Sequence, residues 1–132
     1  MEKFLKKIFE GSNIEPPVIC LKSFNENFDN AINTEWFDKG DFFEVIFYNN
    51  KIEYIANFSK SGNLEEYKMY LPINFLPETI KIHLENFGEI MNVVLINKGN
   101  CVQYEVIVRD KDLNRHLFLL SDLGEIMSEK SL

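Results

Sequence analysis

Hydrophobic and polar positions along the chain follow one plan twice, in residues 16–64 and again in residues 76–127. Each half opens with apolar residues at helical spacing and continues in short runs that alternate at period two. In the first half, Leu21, Phe24, Phe28 and Ile32 stand at i, i+3, i+7 and i+11 behind Pro16-Pro17, the spacing of one helix face opened by proline. In the second, Ile80, Leu84 and Phe87 follow Leu76-Pro77-Glu78, with Glu78 placed to complement the helix dipole and Gly88 placed to stop the helix. Strands are expected over 33–37, 41–48 and 51–59, then over 92–97, 101–109 and 114–121, with a further strand over 65–71 joining the halves. Turns fall at Lys39-Gly40, Asn49-Asn50, Lys98-Gly99 and around 110–113.

The halves also align residue by residue. Phe28 matches Phe87, Asn33 matches Asn92, and Lys39-Gly40 matches Lys98-Gly99. Phe43-Glu44-Val45 matches Tyr104-Glu105-Val106, and Ser59-Lys60-Ser61-Gly62 matches Ser121-Asp122-Leu123-Gly124. Strands in runs after a helix, rather than alternating singly with helices, predict an α+β fold. The expectation is two tandem αβββ repeats forming one antiparallel sheet, with the helices on one face. Residues 1–15 are a lead-in to a single domain over 16–132. Within that lead-in, Phe4, Leu5, Ile8 and Phe9 predict a short amphipathic helix over 1–10 ended by Gly11.

Alternation assigns the faces. Phe43, Val45 and Phe47, with Tyr54, Ala56 and Phe58, should meet the helices in the first half. Tyr104, Val106 and Val108, with His116, Phe118 and Leu120, should do so in the second. The opposite face then carries Phe42, Ile46, Tyr48, Ile55, Tyr70, Ile107, Leu117 and Leu119. That is too many apolar groups for a solvated face, and such a patch usually marks a partner surface.

Composition narrows the reading. With 132 residues, 45% of them hydrophobic, the chain can bury one compact core but not two independent domains. A net charge of −7 speaks against a nucleic-acid footprint, which needs a basic patch. No apolar run reaches a membrane span or an export signal, so the sequence as written is expected to be cytoplasmic, or periplasmic or in the envelope if a leader was removed. Cys20 and Cys101 lack paired spacing and are expected to be free, half-buried or buried thiols.

The chemistry-bearing residues form no catalytic pattern. His83 sits beside the Leu84 stripe, and His116 fills the slot that Tyr54 holds in the first half; both are read as structural. Asp110, Asp112 and Asn114 imitate the start of a calcium loop, but Arg115 and Ser121 stand where that loop needs glycine and glutamate. A polar turn is the simpler reading. Gly40, Gly62, Gly99 and Gly124 are isolated turn residues, not a phosphate loop. Trp36, at a strand end, is read as core, although tryptophan is also the side chain most suited to anchor a partner.

At Pro17, Trp36, Phe43-Glu44-Val45, Ser61-Gly62, Leu76-Pro77, Tyr104-Glu105-Val106 and Asp122-Leu123-Gly124 the chain resembles the PepSY-like family of beta-lactamase-inhibitor-like proteins. The resemblance spans roughly residues 16–127. It implies two αβββ units sharing one sheet, no cofactor and no catalysis, and relatives that grip another protein with the open sheet face. The functional expectation is therefore a non-enzymatic, inhibitor-like protein-binding module that uses the face listed by alternation above, with an unknown protein partner or a second copy of itself as a homodimer. The alternative is a small-ligand-binding or sensing domain with a pocket between helices and sheet, lined by Phe24, Phe28, Phe47, Phe58 and Phe118.

Overall fold

The structure is a computed structural model that describes residues 14–132. The expected helix over 1–10 lies outside the described residues. Helix α1 (Val18–Asn27) is followed by strands β1 (Ile32–Asp38), β2 (Phe42–Asn49), β3 (Ile52–Ser59) and β4 (Leu64–Leu71). A 3-10 turn (Ile73–Phe75) leads to α2 (Glu78–Glu85), β5 (Glu89–Asn97), β6 (Val102–Arg109), β7 (Arg115–Ser121) and β8 (Ile126–Ser131). The eight strands run in sequence order through one antiparallel sheet. The described residues divide within β4 into two compact units, 14–67 and 68–132.

In the first unit the apolar side chains of β2 and β3 close against α1. Cys20 and Phe24 from the helix meet Trp36, Val45, Phe47, Ala56 and Phe58, all buried. The Phe24 ring lies 5.0 Å from Phe47 and 5.5 Å from Trp36, both edge-on, and Tyr54 stacks on Phe47 at 5.0 Å. Such contacts add about 0.5–1.5 kcal/mol per pair to the area buried. The second unit has its own cluster, Ile80 and Leu84 of α2 over Ile90, Val93, Val106, Val108, Phe118 and Leu120. Hydrophobic burial is thus divided between two centres, where composition suggested one.

The helical stripes differ from expectation at their ends. Helix α1 stops at Asn27 because Phe28 is extended (φ −131°) and Asn30 is left-handed (φ 60°). Ile32 therefore belongs to β1 and is exposed, and Leu21 is 40% exposed; the buried face is Cys20 and Phe24. In α2, Ile80 and Leu84 are buried as the spacing predicts, while Phe87 is half exposed and rests on Phe118 at 5.3 Å.

The turns after β1 and β5 share one hydrogen-bonding pattern, and those after β3 and β7 share another. The amide of Gly40 donates to Asp38 Oδ1 and that of Gly99 to Asn97 Oδ1, each at 2.9 Å. At the ends of β3 and β7, the Ser59 and Ser121 hydroxyls accept from the amides of Asn63 (3.0 Å) and Glu125 (3.1 Å). Gly62 and Gly124 follow with φ 89° and 90°, a region open to glycine at little cost. Each also faces its helix: a Cβ on Gly62 would meet Ile19 of α1, and one on Gly124 would meet Ile80 of α2. The β2–β3 hairpin is shifted by one from the expected Asn49-Asn50. Asn49 pairs with Ile52, and Asn50 and Lys51 both take positive φ (51° and 68°), as a tight two-residue hairpin turn requires.

Strand β8 was not expected from the sequence. It pairs with β7 from His116↔Ser131 to Leu120↔Ile126, and all six of its residues are exposed.

Candidate functional site

The pairing registers fix which side chains share the face opposite each helix. In the first unit, Phe43↔Phe58 and Val45↔Ala56 point to α1, so Phe42, Glu44, Ile46 and Tyr48 of β2 and Glu53, Ile55 and Asn57 of β3 point away. Phe37, paired with Glu44, joins them from β1. The centre of this face is closed: Ile46 is 0% and Phe37 1% exposed, with Ile55, Glu44 and Glu53 also buried. Tyr48 donates its hydroxyl to Glu53 Oε2 at 3.3 Å. Of the expected contact residues here, Phe42 and Tyr48 are half-buried, whereas Ile46 and Ile55 have no surface to offer. Alternation placed them on the right face, but burial on that face depends on what lies over it.

The second unit keeps its opposite face more open. The pairs Glu105↔Leu119 and Ile107↔Leu117 set Ile107, Leu117 and Leu119 side by side with the Glu105 carboxylate at their edge, all half-buried. Tyr70 of β4 is half-buried too, and alternation with Leu71, which packs on the core, turns it to this face. Around this block lie Gln103 and an ion pair, Arg109 Nη2 to Glu89 Oε1 at 2.7 Å. Lys130 and Ser128 of β8 pair with Leu117 and Leu119 and so share the face. An apolar centre with a charged rim is the layout of a protein contact surface.

The five phenylalanines of the expected pocket are divided between the two units. Phe47 and Phe58 are fully buried in the first core, and Phe118 belongs to the second. Phe24 and Phe28 instead line an open cleft of about 550 Å³ in the first unit, together with Leu21, Asn25, Thr34 and Trp36. Sequence spacing did not indicate this cleft, because it depends on α1 ending early and on a bulge in β1 between Ile32 and Glu35.

His116 is the most constrained titratable group. Its Nε2 shares a hydrogen bond with Asp110 Oδ2 at 2.8 Å, and its Nδ1 lies 3.3 Å from Glu129 Oε2. The Asp110 hydrogen bond holds the imidazole pKa above its ordinary value, against partial desolvation. The same bond, with amide donation from Asn114, holds the Asp110 carboxyl below its own. The arrangement suits an imidazolium between two carboxylates. It ties the 110–114 turn and β8 to β7, and within that turn Asp110 Oδ1 accepts from the amide of Asp112 at 2.9 Å. His83 is exposed and touches Phe87 edge-on at 5.7 Å. Cys20 is buried and Cys101 exposed, both free; the expectation of two covered thiols is corrected at Cys101, which precedes β6. Burial pushes the Cys20 thiol pKa up.

No family model matches the chain, and no curated protein matches it. Solved structures do. Its architecture is that of the BLIP-like class, an α+β antiparallel meander. A BLIP-like protein from Bacteroides fragilis NCTC 9343 superposes with a TM-score of 0.78 at 19% identity, covering 90% of this chain and 88% of that one. A DUF2874 family protein from Bacteroides uniformis ATCC 8492 gives 0.78 at 14% identity, covering 89% and 90%. A third, described as a candidate periplasmic protein from Bacteroides eggerthii DSM 20697, gives 0.78 at 11% identity, also covering 89% and 90%. At these identities the likeness is one of fold. No helix among the described residues is long and apolar enough to cross a membrane.

Proposed function

We propose that the chain is a non-enzymatic, inhibitor-like protein-binding module whose contact surface is the second unit's face opposite α2. The observation that carries this reading is the apolar block of Ile107, Leu117 and Leu119, with Tyr70, rimmed by Arg109, Glu89 and Lys130. In the first unit, Phe42 and Tyr48 are the half-buried candidates on the face opposite α1, where Ile46 and Ile55 are buried. Membership of the PepSY-like family belongs to the same proposal, supported by the paired turn chemistry of Gly40 and Gly99 and of Gly62 and Gly124. An envelope location belongs to it as well, in line with the description of the Bacteroides eggerthii neighbour.

The test is to place a charge in the block. Ile107→Glu and Leu117→Glu, each half-buried at the wild-type position, should leave the fold intact and weaken partner binding at least tenfold, about 1.4 kcal/mol or more. Partner binding unchanged by both substitutions would remove this surface from consideration.

A further inference from the structure

We propose that β8 is a strap that pH opens and closes: a protonated His116 clamps its far end to β7, and a neutral His116 lets that end come away. The inference is independent of the sheet-face reading and of any partner.

Strand β8 has little besides its backbone ladder to hold it. All six of its residues, Ile126–Ser131, are exposed, so no buried side chain adds to the pairing with β7. Its near end is fixed by the preceding turn, where the Ser121 hydroxyl accepts from the amides of Leu123 at 3.3 Å and Glu125 at 3.1 Å. Its far end closes with the pair His116↔Ser131 and with the Leu132 amide on the Arg115 carbonyl at 2.9 Å. Beside that pair, Glu129 Oε2 reaches His116 Nδ1 at 3.3 Å. An exposed ion pair matters little to a packed core. A fully exposed edge strand lies at the low end of local stability, where a small contribution decides how often it opens.

The two carboxylates at the ring are not equivalent. Asp110 is held in place, its Oδ1 accepting from the amides of Asp112 and Asn114, and its Oδ2 lies 2.8 Å from His116 Nε2. A neutral imidazole carries one N–H. The shorter Asp110 bond keeps that proton on Nε2, so the bare Nδ1 lone pair is turned on Glu129 Oε2. Attraction to Glu129 becomes repulsion while the bond to Asp110 persists. The loss on deprotonation therefore falls on β8 and not on the 110–114 turn.

The charges that act on the ring are these two carboxylates. Arg109 pairs with Arg115, and Lys130 with Leu117, on the opposite face of the strands. Lys111 and Asp112 on the turn are exposed, and Glu78, Lys81, His83 and Glu85 of α2 do not bear on the ring. Because Asp110, with Glu129 adding to it, holds the ring pKa above its ordinary value, the clamp is complete below about pH 6.5 and is lost as pH rises through the raised value.

Hydrogen exchange of the intact chain reads the strap directly, with labelling times scaled to the intrinsic amide rate at about pH 5.5 and about pH 8.5, either side of the ordinary histidine value. Protection over 126–132 is expected to fall at least threefold from the lower pH to the higher, along the His116 ring titration followed by NMR, while protection over β5 and β6 holds. Glu129→Gln, at a half-exposed position, should abolish the fall, because its side-chain amide donates to the bare Nδ1 at high pH. Protection over β5 and β6 reports that this variant is folded. Three results would each overturn the proposal: equal protection over 126–132 at both pH values, a fall shared equally by β5 and β6 or by the 110–114 turn, or a fall that survives Glu129→Gln.

Discussion

Replacing Gly62, Gly124 and Gly99 singly by alanine should destabilise the protein in that order. At Gly99 (φ 87°) an added Cβ meets nothing within 4 Å, so the cost is the left-handed backbone alone, about 1 kcal/mol. At Gly124 (φ 90°) the Cβ would stand 3.1 Å from Ile80 Cγ1. That side chain is buried and must leave its rotamer, adding about 0.5–1.5 kcal/mol. At Gly62 (φ 89°) the Cβ would lie 2.7 Å from Ile19 Cγ1 and 3.0 Å from the Ile19 carbonyl oxygen. A side chain can rotate aside, but a helical carbonyl cannot, so α1 itself must move. Overpacking of that kind adds about 1–3 kcal/mol, for a total of about 2–4 kcal/mol at Gly62. Urea unfolding with a constant slope reads the order directly as midpoints. In thermal terms the Gly62→Ala loss corresponds to about 8–16 °C, at roughly 4 °C per kcal/mol. Equal losses at Gly62 and Gly99 would refute the claim that the turn after β3 is pressed against α1.

Three further outcomes follow from the same geometry. His116 should titrate above the ordinary histidine value, and Asp110→Asn should lower its midpoint, as read by NMR of the ring protons. Because its folded pKa is raised, the stabilisation from His116 is fully present below about pH 6.5 and is lost as pH rises through the folded value. The Asp110 contribution has the opposite sign: present above the ordinary aspartate range and lost as pH falls through its lowered value, so the pair is strongest between the two. A mild thiol reagent should label Cys101 at once and Cys20 only on unfolding, since Cys20 is buried with a raised pKa; equal rates would contradict the first unit's core. Without its partner, the chain is expected to form a weak symmetric dimer through the Ile107–Leu117–Leu119 block, visible as a mass that rises with concentration in sedimentation. A constant one-chain mass up to the highest concentration would exclude that dimer.

Much of the fold is legible in the sequence because its signals are local. Turn residues and period-two alternation identified seven of the eight strands, and the same alternation assigned the inward residues Val45, Phe47, Val106 and Val108 to the faces they occupy. Strand β8, IMSEKS, escaped notice because an edge strand exposed along its whole length has no burial pattern to read. The α1 stripe was drawn too long because Ile32 falls at helical spacing by chance, beyond the break set by Phe28 and Asn30. The candidate surface was legible only as a parity. Sequence places Ile46 and Leu119 on faces opposite the helices equally well, yet Ile46 is fully buried and Leu119 is half-buried. The cleft beside β1 was illegible for a related reason: it arises from a bulge and a helix end, neither of which alters the hydrophobic pattern.

A partner seated on the face opposite α2 would lie within crosslinking reach of Leu119. Site-specific photo-crosslinking in the native cell tests it, with a benzophenone side chain placed in turn at Leu119 on that face and at Val18, an exposed residue of α1. A discrete crosslinked protein is expected from Leu119, lost when Ile107→Glu is added, and none from Val18. The same adduct from Val18, or its survival with Ile107→Glu in place, would contradict it.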